Sequence, residues 1–130
     1  MPEFSERSEK ALKTCNIDLE RLFREVIKYV DCSILEGFRD QETQDKYFEH
    51  GKSQVRFPDS KHNRYPSRAV DCVPYPIDWN DSDRMYMFVG FVRGMAQVMK
   101  IPIRCGADWD GDFSMKDQKF HDLPHFELIS

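Results

Sequence analysis

Apolar side chains at Ile17, Leu19, Leu22, Phe23, Val26, Ile27 and Val30 recur in steps of three and four, which places them on one face of a helix. Asn16 or Asp18 offers a capping oxygen, so the pattern predicts a helix over 18–31 whose apolar stripe needs a partner. SILEGFR at 33–39 predicts a short strand. DQETQDKYFEHG at 40–51 predicts a second helix, opened by Asp40 and closed by Gly51. Residues 52–67 carry two prolines and many polar groups and predict a long loop, a feature that in a small domain tends to be functional. The apolar run from Ala69 to Val73 predicts a strand. Residues 83–99 are apolar nearly all round, predicting the most buried helix of the chain, stopped by Pro102. IPIRCGAD (101–108) predicts a short strand, DWDGDFSMKDQKFHD (108–122) an acidic loop and PHFELI (124–129) a terminal strand. Strands and helices mix without a regular βαβ alternation, an internal repeat or a linker. The expected class is α+β: a single compact domain over 1–130, with a small, mainly antiparallel sheet packed by helices.

One residue breaks this pattern. Alternation puts Ala69, Asp71 and Val73 on one face of their strand, so Asp71 points where its neighbours are apolar. An unpaired polar group buried there costs roughly 2–7 kcal/mol, and more if it stays charged, so something must compensate it. In the last strand His125 and Glu127 share one face, opposite Phe126 and Leu128, and two such intrusions point to one shared site. With His62 in the long loop the chain offers two imidazoles and one carboxylate, a ligand set suited to catalytic zinc with a fourth position open. Two neutral histidines and one aspartate leave the zinc site with net positive charge, which acidifies bound water. Asp122, three residues before His125 across the turn of HDLPH, is the candidate general base.

Each residue also has an ordinary reading. An isolated histidine is mostly solvent-exposed or satisfied in the core, and Asp71 can be neutralised by Arg68 or Arg39 with no metal. Glu127 is either the partner of a ligand imidazole or an exposed edge carboxylate. HDLPH resembles the HExxH zinc helix, but Pro124 breaks the geometry that makes i and i+4 converge and the acid is Asp. His125 alone is therefore the ligand, and His121 a loop residue.

Composition narrows the partners. At 130 residues and 40% apolar content there is one core and little room for a second. With 19 Lys+Arg against 23 Asp+Glu, a net charge of −4 and no basic run, the chain shows no nucleic-acid footprint. MPEFSERSEKALK has no apolar signal core, and Arg93 interrupts the longest apolar stretch, so cytoplasmic synthesis without membrane insertion is expected. Cys15, Cys32, Cys72 and Cys105 lie far apart with no CxxC pair and are read as reduced core thiols. DWDGD (108–112) has a calcium-like spacing, yet position six of an EF-hand would be Phe113 and position twelve Lys119. A looser Ca2+ site on Asp108, Asp110 and Asp112 and a solvated turn both remain open.

SKHNRYPSRAVD (60–71) followed by DLPHFEL (122–128) resembles the SxH…AxD…DxxH pattern of the zinc peptidases with a hedgehog/D-Ala-D-Ala peptidase-like fold. These include D-alanyl-D-alanine carboxypeptidases, D-Ala-D-Ala dipeptidases and phage L-alanyl-D-glutamate endopeptidases. GFRDQETQDKYFEHGKS (37–53) is similar to the G-F/Y-R…Q…G segment of the phage endolysins, and GADWDGDFSMKDQKFHDLPHFEL (106–128) to their C-terminal stretch. The likeness covers 33–128 in the correct order.

The resemblance implies His62, Asp71 and His125 as zinc ligands, Asp122 as catalytic base, and Arg39 as the cation steadying the substrate carbonyl or its oxyanion, a task suited to a fixed, always-charged fork of donors. Ser60 is where the family keeps a hydroxyl that orients substrate, beside a plain turn role. Gln44 matches a family glutamine and reads as a structural hydrogen-bonder. The chain departs from the pattern in one place: nine positions lead from His62 to Asp71 where the family commonly has seven with a Gly between.

The implied activity is zinc-dependent hydrolysis of the peptidoglycan stem peptide by an L-alanyl-D-glutamate endopeptidase acting as a phage endolysin. Such an enzyme is a monomer made without a signal peptide, released to the cell wall by a partner holin, and recognising the wall without a separate binding domain. A D-Ala-D-Ala carboxypeptidase would use the same ligands. A catalytically silent, zinc-stabilised domain binding wall fragments or a protein partner would need neither Asp122 nor Arg39.

Overall fold

A computed structural model describes residues 2–114 and 122–129. The chain opens with a helix that has no counterpart in the apolar pattern, α1 (Glu6–Leu12). It is too short to show a periodic stripe, and Ser5 starts it by accepting from the Ser8 backbone N–H at 3.1 Å. Helix α2 (Ile17–Val26) begins where the Asn16 side chain accepts from Asp18 N at 2.9 Å. It ends before the predicted 31: Ile27 to Val30 continue as turns, and the Asp31 carbonyl is already engaged by Tyr75 N at 3.0 Å, beside the sheet.

The sheet follows. Strand β1 (Cys32–Glu36) pairs with β2 (Ala69–Pro74), β2 with β4 (His125–Leu128), and β4 with β3 (Ile103–Cys105). All three pairings are antiparallel, in the order β1-β2-β4-β3. β1 stops three residues short of the predicted end, after its register slips between Ile34 and Glu36. At Gly37 the backbone lies so close to α1 that a Cβ would stand 2.3 Å from Thr14 Oγ1 and 2.5 Å from the Ala11 carbonyl. Helix α3 (Gln41–Glu49) is capped by Asp40, as its sequence indicates, and Gly51 takes a left-handed φ of 75° just beyond its end. The segment 52–67 is irregular apart from one 3-10 turn at Lys61–Asn63 and an isolated bridge of Ser67 to Cys15.

Helix α4 (Ser82–Met99) starts at an Asp81 cap and ends at Lys100 with φ 61°. It differs from expectation, because Met85, Phe88, Val89, Val92 and Ala96 are buried while Met87 and Val98 are 77% and 79% exposed. A helix laid on one face of a sheet has only one side to bury. The most enclosed helix is α2, whose Leu19, Leu22, Phe23 and Val26 are fully buried.

The core lies between these two helices and one face of the sheet, where Val70 and Cys72 of β2 and Phe126 and Leu128 of β4 point. Phe126 is its centre, with ring centroids 5.4 Å from Phe23 and 6.3 Å from Phe88. The four cysteines are buried free thiols. The alternate residues Asp71, His125 and Glu127 are thereby left to the other face. Phe126→Ala should cost about 3–5 kcal/mol of stability, since it empties the contact between both helices and the sheet; chemical denaturation measures this.

Candidate active site

β2 and β4 pair with Asp71 directly opposite His125, so strand register alone puts a carboxylate beside an imidazole. His62 arrives from the 3-10 turn. Ser60 Oγ accepts from His62 N at 3.2 Å while the Asn63 side chain accepts from Ser60 N at 3.1 Å, a reciprocal cap that closes the turn. The turn is docked on the start of α3: Arg39 N donates to the His62 carbonyl at 2.8 Å, and Asn63 Nδ2 donates to the Arg39 carbonyl at 3.0 Å. The longer His62–Asp71 spacing does not separate the pair. Arg64, Tyr65 and Pro66 loop out into solvent, and Arg68 N returns to the Lys61 carbonyl at 3.0 Å.

Hydrogen bonds orient both rings. His62 is 1% exposed and its Nδ1 lies 2.7 Å from the Gly37 carbonyl, an acceptor, so Nδ1 carries a proton and Nε2 is the nitrogen turned to the site. His125 Nε2 lies 2.8 Å from Glu127 Oε1, which turns Nδ1 to the site. These two inner nitrogens stand 3.3 Å apart and lie 3.2 and 3.4 Å from Asp71 Oδ1. Zinc bonds of about 2.0–2.1 Å at tetrahedral angles separate donor atoms by about 3.3 Å, so the three atoms fit one face of a zinc tetrahedron.

Asp122 stands at the rim, its Oδ2 3.9 Å from His125 Nδ1. Its backbone is pinned by a bond from its N–H to the Gly106 carbonyl at 3.0 Å, and a Cβ at Gly106 would lie 2.1 Å from the Asp122 carbonyl oxygen. Burial, and then the Asp71 charge, push the Asp122 carboxyl above its ordinary range against the pull of both imidazoles and Arg39. Arg39 is buried beneath. It donates to Glu36 Oε1 at 2.8 Å and Gln44 Oε1 at 2.8 Å, stacks 4.5 Å over Tyr47, and faces Asp71 Oδ2 at 3.6 Å. One Asp71 oxygen thus meets the imidazoles and the other a guanidinium. These side chains lie in a cleft of about 1010 Å³ whose walls include Tyr47, Val55, Ser60, Trp79 and Trp109.

The family model of the phage L-alanyl-D-glutamate peptidase matches residues 2–129. The chain belongs to that family. The likeness read from residues 33–128 thus extends over nearly the whole chain. Among solved structures it is similar to the L-Ala D-Glu endopeptidase ChiX of Serratia marcescens, with 29% identity and a TM-score of 0.75 over 97% of this chain and 90% of that one. No curated protein matches.

In this family member Glu127 is not an exposed edge carboxylate: it is 7% exposed and also takes Arg104 Nη2 at 2.8 Å on its second oxygen. Gln44 is fully buried, its amide donating to Ser53 Oγ at 2.9 Å and the Val55 carbonyl at 2.7 Å, as a structural residue should. Asp108, Asp110 and Asp112 gather with ligand atoms within 4.8 Å of one another, and Asp108 Oδ2 is already held by Arg93 at 2.9 Å and Phe113 N at 2.8 Å. His121 and Lys119 lie outside the described residues.

Sequence reading missed the Gly37 carbonyl, Gly106, Glu36, Tyr47 and Trp109, whose ring centroid is 5.2 Å from His125. The glycines of GFR and CGAD were the available signal for the first two, since a glycine next to a candidate site often marks close backbone approach.

Burial raises the Asp71 carboxyl, but His62 and His125 outweigh it and hold it well below the usual range. In the metal-free protein burial lowers the His125 imidazole, yet Asp71 and Glu127 carry it up from 6.5 to about 9. Burial likewise raises Glu127, but His125 and Arg104 bring it down from 4.5 to about 2. The raised His125 stabilises the fold fully below pH 6.5, and this is lost as pH climbs through about 9. The lowered Glu127 stabilises it above pH 4.5, and this is lost as pH falls through about 2. Chelator-treated protein should therefore be most stable between pH 4.5 and 6.5 and lose up to ~3 kcal/mol by pH 9, at about 1.4 kcal/mol per pH unit of displacement. Urea denaturation across that range measures it, and a flat alkaline limb would contradict it.

Proposed function

We propose that the chain is a zinc peptidase that hydrolyses the L-alanyl-D-glutamate bond of peptidoglycan stem peptides and serves as a phage endolysin. The observation that carries this is the convergence of His62 Nε2, Asp71 Oδ1 and His125 Nδ1 within 3.4 Å of one another, beside Asp122, in a chain of this family. The choice of bond rests on the family and on the similar Serratia endopeptidase. His62, Asp71 and His125 would hold a zinc ion, which would supply Lewis acidity and lower the pKa of a bound water toward neutrality.

The chain's own residues do the rest. Asp122 takes the proton of the attacking water at its carboxylate and hands it to the departing amine of D-glutamate. Its raised proton affinity suits a group that must both accept and release. Arg39, held by Glu36, Gln44 and Tyr47, contributes a fixed positive charge beneath the carbonyl oxygen as negative charge develops there. It also keeps Asp71 turned with Oδ1 toward the imidazoles. Ser60 lines the cleft, and while its oxygen caps the His62 turn its hydroxyl proton serves a substrate carbonyl.

Chelation should abolish release of wall peptides and zinc should restore it; an unchanged rate after complete metal removal defeats the proposal. Mass spectrometry of the digest should show new L-alanine carboxyl and D-glutamate amino ends, whereas free D-alanine would mean a carboxypeptidase. Asp122→Asn should keep zinc while losing roughly 10²–10⁴-fold in kcat. A fully active, zinc-loaded variant would show that another group is the base.

A further inference from the structure

Strand register explains how Asp71 and His125 meet, but not why His62, on a turn in the irregular 52–67 segment, comes to rest 3.3 Å from His125. The residue before it supplies a tie. Lys61 extends its ammonium away from the turn onto the end of β4, where Nζ donates to the Leu128 carbonyl, to the Ile129 carbonyl at 3.2 Å, and stands 3.3 Å from Glu127 Oε2. Its side chain is only 21% exposed, unusual for a lysine on a loop. The Lys61 carbonyl receives Arg68 N at 3.0 Å, and the Arg68 carbonyl receives Leu128 N at 2.9 Å, so backbone and side chain sew the same turn to the same strand. Glu127 then links this tie to the site: one oxygen is shared by Lys61 and Arg104, and the other accepts the Nε2 proton of His125.

We infer that Lys61 is a positioning residue for the metal centre: it clamps the His62 turn to β4 and fixes Glu127 where that carboxylate aims His125 Nδ1 at the ion. A compact ammonium with three donors matches three acceptors converging from one strand end. The inference rests on the zinc reading above, and the neighbours of metal ligands are worth roughly 10–100-fold in affinity in other metalloproteins.

The test measures metal binding rather than hydrolysis. Zinc affinity is obtained by competition with a chromophoric chelator, and the ligand field from the visible spectrum of the Co2+-loaded protein. Lys61→Met should weaken zinc roughly 10–100-fold and shift the Co2+ bands, while Lys61→Arg, which keeps charge and donors, should recover most of the affinity. Lys61→Met with wild-type zinc affinity and an unchanged Co2+ spectrum overturns the inference, even if its metal-free form melts lower. Should that variant not fold, Lys61→Gln carries the same comparison, and failure of both to fold shows a purely structural lysine and also overturns it. Wild-type protein that takes up no zinc is a separate result, which removes the metal reading itself.

Discussion

The antiparallel pairing of β2 with β4 is the constraint on which the rest depends. Because successive residues alternate faces, the register that puts Val70 against Phe126 on the core side also puts Asp71 against His125 on the other. A slip of one residue would turn Phe126 out of its contacts with Phe23 and Phe88 and turn the ionisable side chains into apolar packing. The hydrophobic effect thus enforces the geometry of the polar face. The core that holds the fold together is also what holds two donor atoms at ligand distance.

The third donor depends on a different kind of order. His62 lies on a single 3-10 turn, and its place is set by discrete hydrogen bonds: Ser60 and Asn63 within the turn, the Gly37 carbonyl on its ring and the Arg39 N–H on its carbonyl. Two bonds orient the rings: the Gly37 carbonyl holds His62 Nδ1 and Glu127 holds His125 Nε2 on the sides away from the site, so that the other nitrogen of each ring faces Asp71. Buried polar groups left unsatisfied would destabilise the face, whereas here nearly every one is spent orienting another.

Charge is balanced in the same way. Asp71, Glu36 and Glu127 are acids facing the cleft, and each is matched by a cation or an imidazole: Arg39 for the first two, His125, Arg104 and Lys61 for the last. Asp122 is held less firmly, near the imidazoles but repelled by Asp71. Among the described residues, the one carboxylate at this site with a raised proton affinity is therefore the one at its rim. This division between a firmly ionised Asp71 and an Asp122 of raised proton affinity follows from where each backbone segment enters the site.

By itself the sequence determined what depends on near neighbours. Caps at Asn16 and Asp40 start α2 and α3 where read, the apolar stripe of α2 faces the core except for the exposed Ile17, and the period-two pattern betrays Asp71, His125 and Glu127 as intruders on strands. The ordered pattern of Arg39, His62, Asp71, Asp122 and His125 was legible for the same reason, since each sits in a short recognisable stretch. Tertiary structure alone decided the rest. α1 is too short to carry a periodic signal, and the outward side of α4 stays exposed because only one of its sides meets the sheet. Burial of Glu127, the grip of Glu36 and Gln44 on Arg39 and the close approach of Gly106 to Asp122 join residues through contacts that no local pattern encodes. His62 and His125 are 63 positions apart in the chain, and their separation is fixed by strand order and by packing, which act through space and not along the sequence.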